Sequence, residues 1–363
     1  MVAPTIRDYS LTGPEAARAA ERGLTRAVWY RSPLARERIK ELMKRSDYPA
    51  LPQLFVWLAL LVVSGIGAYL TLGTPWCVPF FFIYGILYGS CSDSRWHEFG
   101  HGTAFRTRWI NDAAFQLAAF MVFREPAIWR WSHARHHTDT LIVGRDPEVL
   151  AKRPPSFRAL LLNFLAIQST ATAIPRLISH AFARLHEEEK QFVPQSEHAR
   201  VFRTARIWLL IYALVAAYSI HIHSMLPWLF IGLPTLYGAW LQFYFGITQH
   251  TGLAEDTLDH RLNSRTIYMN PIFRFVYLNM NYHTEHHMYP MVPYYKLPEL
   301  HRELRHDMPT PYRSTLAAYG EIIPALLRQR KDPSYFVRRN LPSAVNSGTT
   351  AVDTATRQPG SVI

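Results

Sequence analysis

Cysteine is nearly absent from this 363-residue chain, which holds two. That excludes a framework of several disulfides and any iron–sulfur cluster held by four thiolates of this chain. Cys77 and Cys91 do not pair within one helix, because fourteen residues of helix separate them by ~21 Å and a disulfide allows ~6 Å. Charge is missing from two long stretches: no Asp, Glu, Lys or Arg occurs between Asp47 and Asp93, or between Arg206 and Glu255. Uncharged runs of 45 and 48 residues are uncommon in a soluble fold, and a bilayer span needs ~20 apolar residues, so each run has room for two spans and a turn. LGTPW (72–76) and HIHSMLPW (221–228) supply the turns. We therefore expect an all-α integral membrane protein with four spans in two hairpins, near 51–72, 76–92, 207–222 and 227–249.

Positive charge is abundant and unevenly placed. The formal net charge is +12, residues 1–50 hold ten Lys or Arg, and 93–206 is also rich in Arg, whereas both hairpin turns have none. By the positive-inside rule both termini and the central segment are cytoplasmic. The basic residues lie mostly beside the expected spans, which points to anionic membrane lipid as their partner and not to nucleic acid. The N-terminus is polar and basic for about fifty residues, so no cleavable secretory signal is visible. The expected organisation is a basic cytoplasmic segment (1–50), a membrane domain (51–310), a cytoplasmic helical extension (311–342) and a disordered tail (343–363). The stretch 14–45 either rests on the membrane surface or is a solvated helix. AAFQLAAFMVF (113–123) is too short to span and is expected as a re-entrant or buried helix.

Histidine is the residue present in excess, with 17 in all. Nine form a pattern: His97 and His101 as HxxxH, His133, His136 and His137 as HxxHH, His283, His286 and His287 as HxxHH again, and His250 after the fourth expected span. Spacings of three and four bring side chains to one face of a helix, so each box can aim its imidazoles at a common point. All lie on the expected cytoplasmic side, with a helical cap there to hold them. HEFGH (97–101) also matches HExxH, in which two histidines bind zinc and the glutamate activates water. A catalytic zinc takes three protein ligands, which leaves six histidines without a role. Nine imidazoles suit two metals with four or five each, and nitrogen ligands favour iron, copper or zinc. The other eight histidines lack box spacing and are read as structural or surface residues.

The three boxes, the spacing of the membrane hairpins and NMNYHTEHHMYPMVPYYKLPELH (279–301) resemble the membrane-bound fatty acid desaturase family over roughly 50–310. That resemblance implies a non-haem di-iron centre that activates O2, with His97, His101, His133, His136, His137, His283, His286 and His287 as ligands and His250 added through its TQHTGL element. Neutral imidazoles leave such a pair highly charged, which calls for nearby carboxylates. Asp93, Glu98, Asp139, Asp146 and Glu285 are available, and Asp139 and Glu285, beside or inside the HxxHH boxes, are the ones singled out. No catalytic residue beyond the metal ligands is expected.

The reaction implied needs electrons, and the chain carries no cytochrome b5 His-Pro-Gly-Gly motif, no Rossmann glycine fingerprint and no ferredoxin cysteine run. A separate ferredoxin or other electron-transfer protein is therefore the expected partner. A bacterial inner membrane is the expected location. Acyl chains are the family's default substrate. HHTDTLIVGRDPE (136–148) and the short architecture are similar to a bacterial subgroup that includes dihydrorhizobitoxine desaturase, which implies an amino-acid-derived ether instead. Two alternatives stay open: a hydroxylase or other monooxygenase with the same boxes, and a membrane zinc hydrolase using HEFGH.

Overall fold

The computed structural model describes residues 7–25 and 28–342, so the expected tail at 343–363 lies outside the described residues. Among the described residues the chain is helical, and its only β pairing is two isolated bridges, Thr266 with Tyr282 and Ile267 with Tyr312. Two short helices, α1 (Pro14–Glu21) and α2 (Arg36–Leu42), precede the first span. That span is α3 (Ala50–Leu70), whose 21 residues reach ~31 Å, the thickness of a bilayer's hydrocarbon core. Phe55, Val63 and Leu70 point outward from it, as lipid contact requires.

The second expected span is helical without interruption but not uniform. It comprises α4 (Cys77–Gly85), one π-helical turn at Ile86–Ser90, and α5 (Cys91–Gly100). The rod therefore continues beyond the apolar stretch and carries the HxxxH box on its final turns. The cap-side helices that follow are α6 (Arg108–Met121), α7 (Pro126–Asp139), α8 (Phe157–Phe164) and α9 (Ile167–Ala181). The expected 113–123 element falls within α6, which packs one face on α5 and leaves Trp109 and Leu117 exposed. α8 and α9 meet at an 80° bend, where Ala166 has φ +49°. Arg158, Asn163 and Arg176 interrupt the apolar residues of this pair, so the sequence carries no long uncharged run there. In the fold, Leu161, Leu165 and Phe182 form an outward apolar edge on it.

The third span is α10 (Gln195–His221), whose apolar part begins about where charge ends, at Arg206. Among the described residues only α3 and α10 are single helices long and apolar enough to cross a membrane, or three elements if the bent α8–α9 pair counts as one. The fourth expected span, 227–249, is not a single helix. It is divided into α11 (Leu226–Phe230), α12 (Pro234–Gly238) and α13 (Trp240–His250). Pro234 lacks the N–H a continuing helix needs, and Gly232 turns the chain with φ +96°. Side chains satisfy the carbonyls this frees, as membrane burial demands: Tyr84 donates to Phe230 O at 2.9 Å and Tyr237 to Leu229 O at 2.9 Å.

The two broken segments meet through bare backbone. A Cβ on Gly238 would fall 1.8 Å from Gly85 O, and one on Gly89 would fall 2.7 Å from Gly238 C. Ser90 Oγ donates to Gly238 O at 2.6 Å and accepts from Gln242 N at 2.9 Å. Small residues allow this approach, and the π turn offsets the helix by one residue so that α5 leaves at the angle set by the contact.

α14 (His260–Asn263), α15 (Pro271–Tyr277), α16 (His283–Met288), α17 (Leu297–Leu304) and α18 (Thr315–Lys331) complete the fold. Arg95 of α5 is buried without a carboxylate. It donates to Cys91 O, Phe275 O and Val276 O and lies over the rings of Trp57 and Phe275. A cation at the carbonyl end of α15 is favoured by the helix dipole, and it ties the first box to the segment that leads into the third. α18, in the 311–342 segment, buries Ala318, Ile322 and Leu326 against Ile247 and Ile267.

Candidate metal centre

The fold brings all nine box histidines together in two groups. His97, His101, His133, His137 and His286 form the first, and His136, His250, His283 and His287 the second; within each, one ligand atom per residue lies within 4.8 Å of the others. The HxxHH boxes do not each aim at one point, as their spacing led us to expect. The first and last histidines of a box share a group and the middle one joins the other: His133 and His137 sit with the first group and His136 with the second, while His283 and His287 sit with the second and His286 with the first. Each box is therefore a wall shared by both groups.

Hydrogen bonds at the outer ring edges orient the imidazoles. His97 Nδ1 meets Glu98 Oε1 at 3.0 Å, His133 Nδ1 meets Glu148 Oε2 at 2.8 Å, and His136 Nδ1 meets Asp146 at 2.9 Å. His250 Nδ1 donates to Asn263 O at 2.8 Å, and Thr140 Oγ1 lies 3.1 Å from His287 Nδ1. A carbonyl oxygen only accepts, so His250 carries its proton on Nδ1 and presents a bare lone pair at Nε2. The Nε2 atoms crowd inward: His133 to His101 at 3.2 Å, His133 to His137 at 3.0 Å, His250 to His283 at 2.9 Å and His283 to His287 at 3.0 Å. His97 Nε2 and both nitrogens of His286 are buried without a partner. Crowded ring nitrogens and orphaned buried ones are costly by themselves and are relieved by a shared cation.

Electrostatics agree with this. Burial, reinforced by neighbouring histidines, pushes His97, His133, His137, His283, His286 and His287 well below the ordinary imidazole range, and His101 and His250 down to about 3. All eight are neutral at pH 7, the form that binds metal. His136 differs: burial pulls it down, but the charge and hydrogen bond of Asp146 outweigh burial and raise it.

The carboxylates singled out from sequence are placed elsewhere. Asp139 pairs with Arg145 at 3.1 Å and Arg135 at 3.4 Å. Glu285 holds His301 Nδ1 at 2.5 Å and accepts from Thr266 Oγ1 at 2.6 Å. Neither touches a histidine of the two groups, because on their helices they point away from the boxes beside them. Glu98 and Asp146, also available from sequence, do make such contacts. Glu148, Thr140 and the Asn263 carbonyl were missed. Asp146 and Glu148 reach back through a loop with positive φ at Leu141 (+55°) and Gly144 (+76°), a fold-back that no helical spacing encodes. Of the eight remaining histidines, His260 is buried under the Trp29 ring at 4.1 Å with its centroid 5.1 Å from that of His287.

Two cavities reach the histidines. The larger, about 500 Å³, meets His97, His133, His136, His250 and His283, and so touches both groups. Its inner wall mixes Trp96, Trp129 and Phe243 with Asp93, Gln242 and Gln249. The smaller, about 410 Å³, meets His101 and His133 of the first group.

Fold and site together define a helical membrane protein with a histidine-built centre suited to metal. The fatty acid desaturase family model matches residues 73–316, more than half of the chain, and the chain belongs to that family. An oxidoreductase of the desaturase type is the class this membership supports. No match is found among curated proteins.

Proposed function

We propose that the chain is an O2-dependent non-haem di-iron desaturase. The observation that carries this reading is the pair of converging histidine groups, five and four strong, with unpartnered nitrogens inside. In this reading His97, His101, His133, His137 and His286 hold one iron, and His136, His250, His283 and His287 hold the other. Two irons supply the reducing equivalents and oxidising power that O2 cleavage and removal of unactivated hydrogens require. Each turnover combines one O2, two electrons and two protons with two hydrogens taken from a CH2–CH2 segment, giving a C=C bond and two waters. The electrons come from a separate ferredoxin or similar carrier. The centre and both termini face the cytoplasm of a bacterial inner membrane, by the positive-inside argument.

The larger cavity is the proposed substrate site, since of the two cavities described it is the one that meets both groups. An acyl chain is the family's default substrate, and Trp96, Trp129, Phe243 and Leu141 give the wall apolar surface for one, while its polar residues leave room for the narrower substrate. A CH2 gains ~0.8 kcal/mol on leaving water for that apolar surface, but not against Asp93, Gln249 and Gln242, whose buried Oε1 has no partner. A short aliphatic segment flanked by polar groups, as in dihydrorhizobitoxine, fits such a wall. The zinc-hydrolase alternative is disfavoured by Glu98, which is turned onto the outer edge of His97 and sealed from solvent.

The test is protein in nanodiscs, assayed for metal and then given 18O2, a reduced ferredoxin, and either dihydrorhizobitoxine or acyl lipids. The expected result is about two irons per chain and an unlabelled product two hydrogens lighter than its substrate. Label in the product would establish hydroxylation, and one zinc with no iron would return HEFGH to a hydrolytic role.

A further inference from the structure

We propose that the smaller cavity is the docking site of an acidic electron-carrier protein, which delivers electrons at the edge of His101. The proposal deepens the oxygen-dependent reading above and rests on it for the need for electrons.

The cavity is separate from the proposed substrate site, with which it shares only Trp129 and His133. Its floor is His101, which like His137 of the same group is partly exposed, whereas His97, His133 and His286 are buried; of the two partly exposed histidines His101 is the one that lines this cavity. Gly102, beside it, has φ +68°, and a Cβ there would meet nothing within 4 Å. The backbone next to His101 is therefore open to whatever occupies the cavity. Electron transfer needs a close approach to a ligand edge, and this face supplies one while the substrate holds the other.

Charge selects the partner. Arg45, Arg108 and Arg130 line the cavity against one acid, Asp112. Asp112 lies 3.7 Å from Arg108 and 3.9 Å from Arg130, outside hydrogen-bonding range of both, and can neutralise one of three cations. Lys44 and Arg106, adjacent in sequence to the lining, are exposed. Arg130 Nε is buried without a hydrogen-bond partner. A rim with a net charge of two positives steers and orients an acidic surface. With two cysteines and no nucleotide fingerprint in this sequence, the oxygen-dependent reading calls for electrons from a separate carrier, and the cationic rim fits an acidic one. The rival occupant is an anionic lipid headgroup, which the exposed Trp109 beside Arg108 would also meet.

The test uses the full chain in phosphatidylcholine nanodiscs, with and without phosphatidylglycerol. Binding of a purified acidic [2Fe–2S] ferredoxin is measured against salt concentration, and iron is counted in the same samples. Arg108→Glu is suitable because its side chain is 90% exposed, so folding does not depend on it. In neutral discs it should weaken ferredoxin binding about tenfold and flatten the salt dependence. Asp112→Asn should tighten binding about threefold by removing the lone acid, a gain that misfolding cannot produce. Unchanged ferredoxin affinity in both variants overturns the proposal. So does an effect confined to discs containing phosphatidylglycerol, which would assign the rim to lipid. Absence of iron from the wild type would defeat the di-iron reading instead, and the binding measurement, which depends on charge and not on metal, would separate the two failures.

Discussion

Replacing Asp146 by Asn tests whether the two histidine groups are metal sites with separate supports. The Asp146 side chain is fully buried. It faces His136 Nδ1 with both oxygens at 2.9 Å and accepts from Leu141 N and Glu148 N, each at 2.8 Å. Asn keeps the shape but loses the charge, and its NH2 must face a donor whichever way the amide is turned. Loss of such a partner to a ligating histidine costs 10- to 100-fold in metal affinity, or ~1.4–2.7 kcal/mol. Because His136 belongs to the four-histidine group, the loss should fall on one of two metal equivalents. Chelator titration of the iron-loaded protein, with released iron followed optically, should show one equivalent leaving at 10- to 100-fold lower chelator while the other leaves as in the wild type. Release of both together, or a titration like that of the wild type, would refute the assignment of Asp146 to the second group.

Three further outcomes follow from other parts of the molecule. His180 sits between Glu125 and Glu189, at 2.5 and 2.8 Å; burial lowers its pKa, but the two carboxylates outweigh burial and raise it to about 9. Its stabilisation is then complete below the unfolded imidazole value and fades as pH rises toward 9, so thermal melts of the wild type should fall by on the order of 2 kcal/mol across that window and those of His180→Gln should stay nearly flat. Gly238→Ala forces a Cβ onto Gly85 O and should destabilise by about 3 kcal/mol or prevent folding, read as lost yield and lowered Tm; a wild-type melt would contradict the backbone crossing. Reporter fusions at 140 and 290 should be cytoplasmic and those at 74 and 224 external, and cytoplasmic activity at 74 or 224 would remove the four-span topology.

Several of these features were legible before any coordinates. Charge-free runs marked α3 and α10 to within a few residues of the apolar stretch, because excluding charge from lipid is a one-dimensional constraint. The fourth expected span is broken at Gly232 and Pro234, which an uncharged apolar run does not by itself distinguish from one continuous helix. The histidines were found by spacing, and their division between groups follows from helix geometry. At ~100° per residue, a histidine at i+4 lies about 40° to one side of the first and one at i+3 about 60° to the other, so His136 must diverge from His133 and His137. What spacing cannot reveal is which histidines of other helices complete each side. Nor can it reveal that Glu148 returns to His133 while Asp139, much nearer in sequence, turns to arginines.

Division of each HxxHH box between the two groups has a consequence for biogenesis. His97 and His286 share a group although 189 residues separate them, and the second group also waits for His283 and His287. At ribosomal speeds of about 5–20 residues per second, the first box is exposed for roughly 10–40 s before its last partner is made. A nascent or truncated chain ending before residue 283 contains no complete group, only four histidines of one and two of the other. In the di-iron reading proposed above, metal loading therefore follows completion of the third box, and a chain that stops upstream of it presents only half-formed groups of imidazoles.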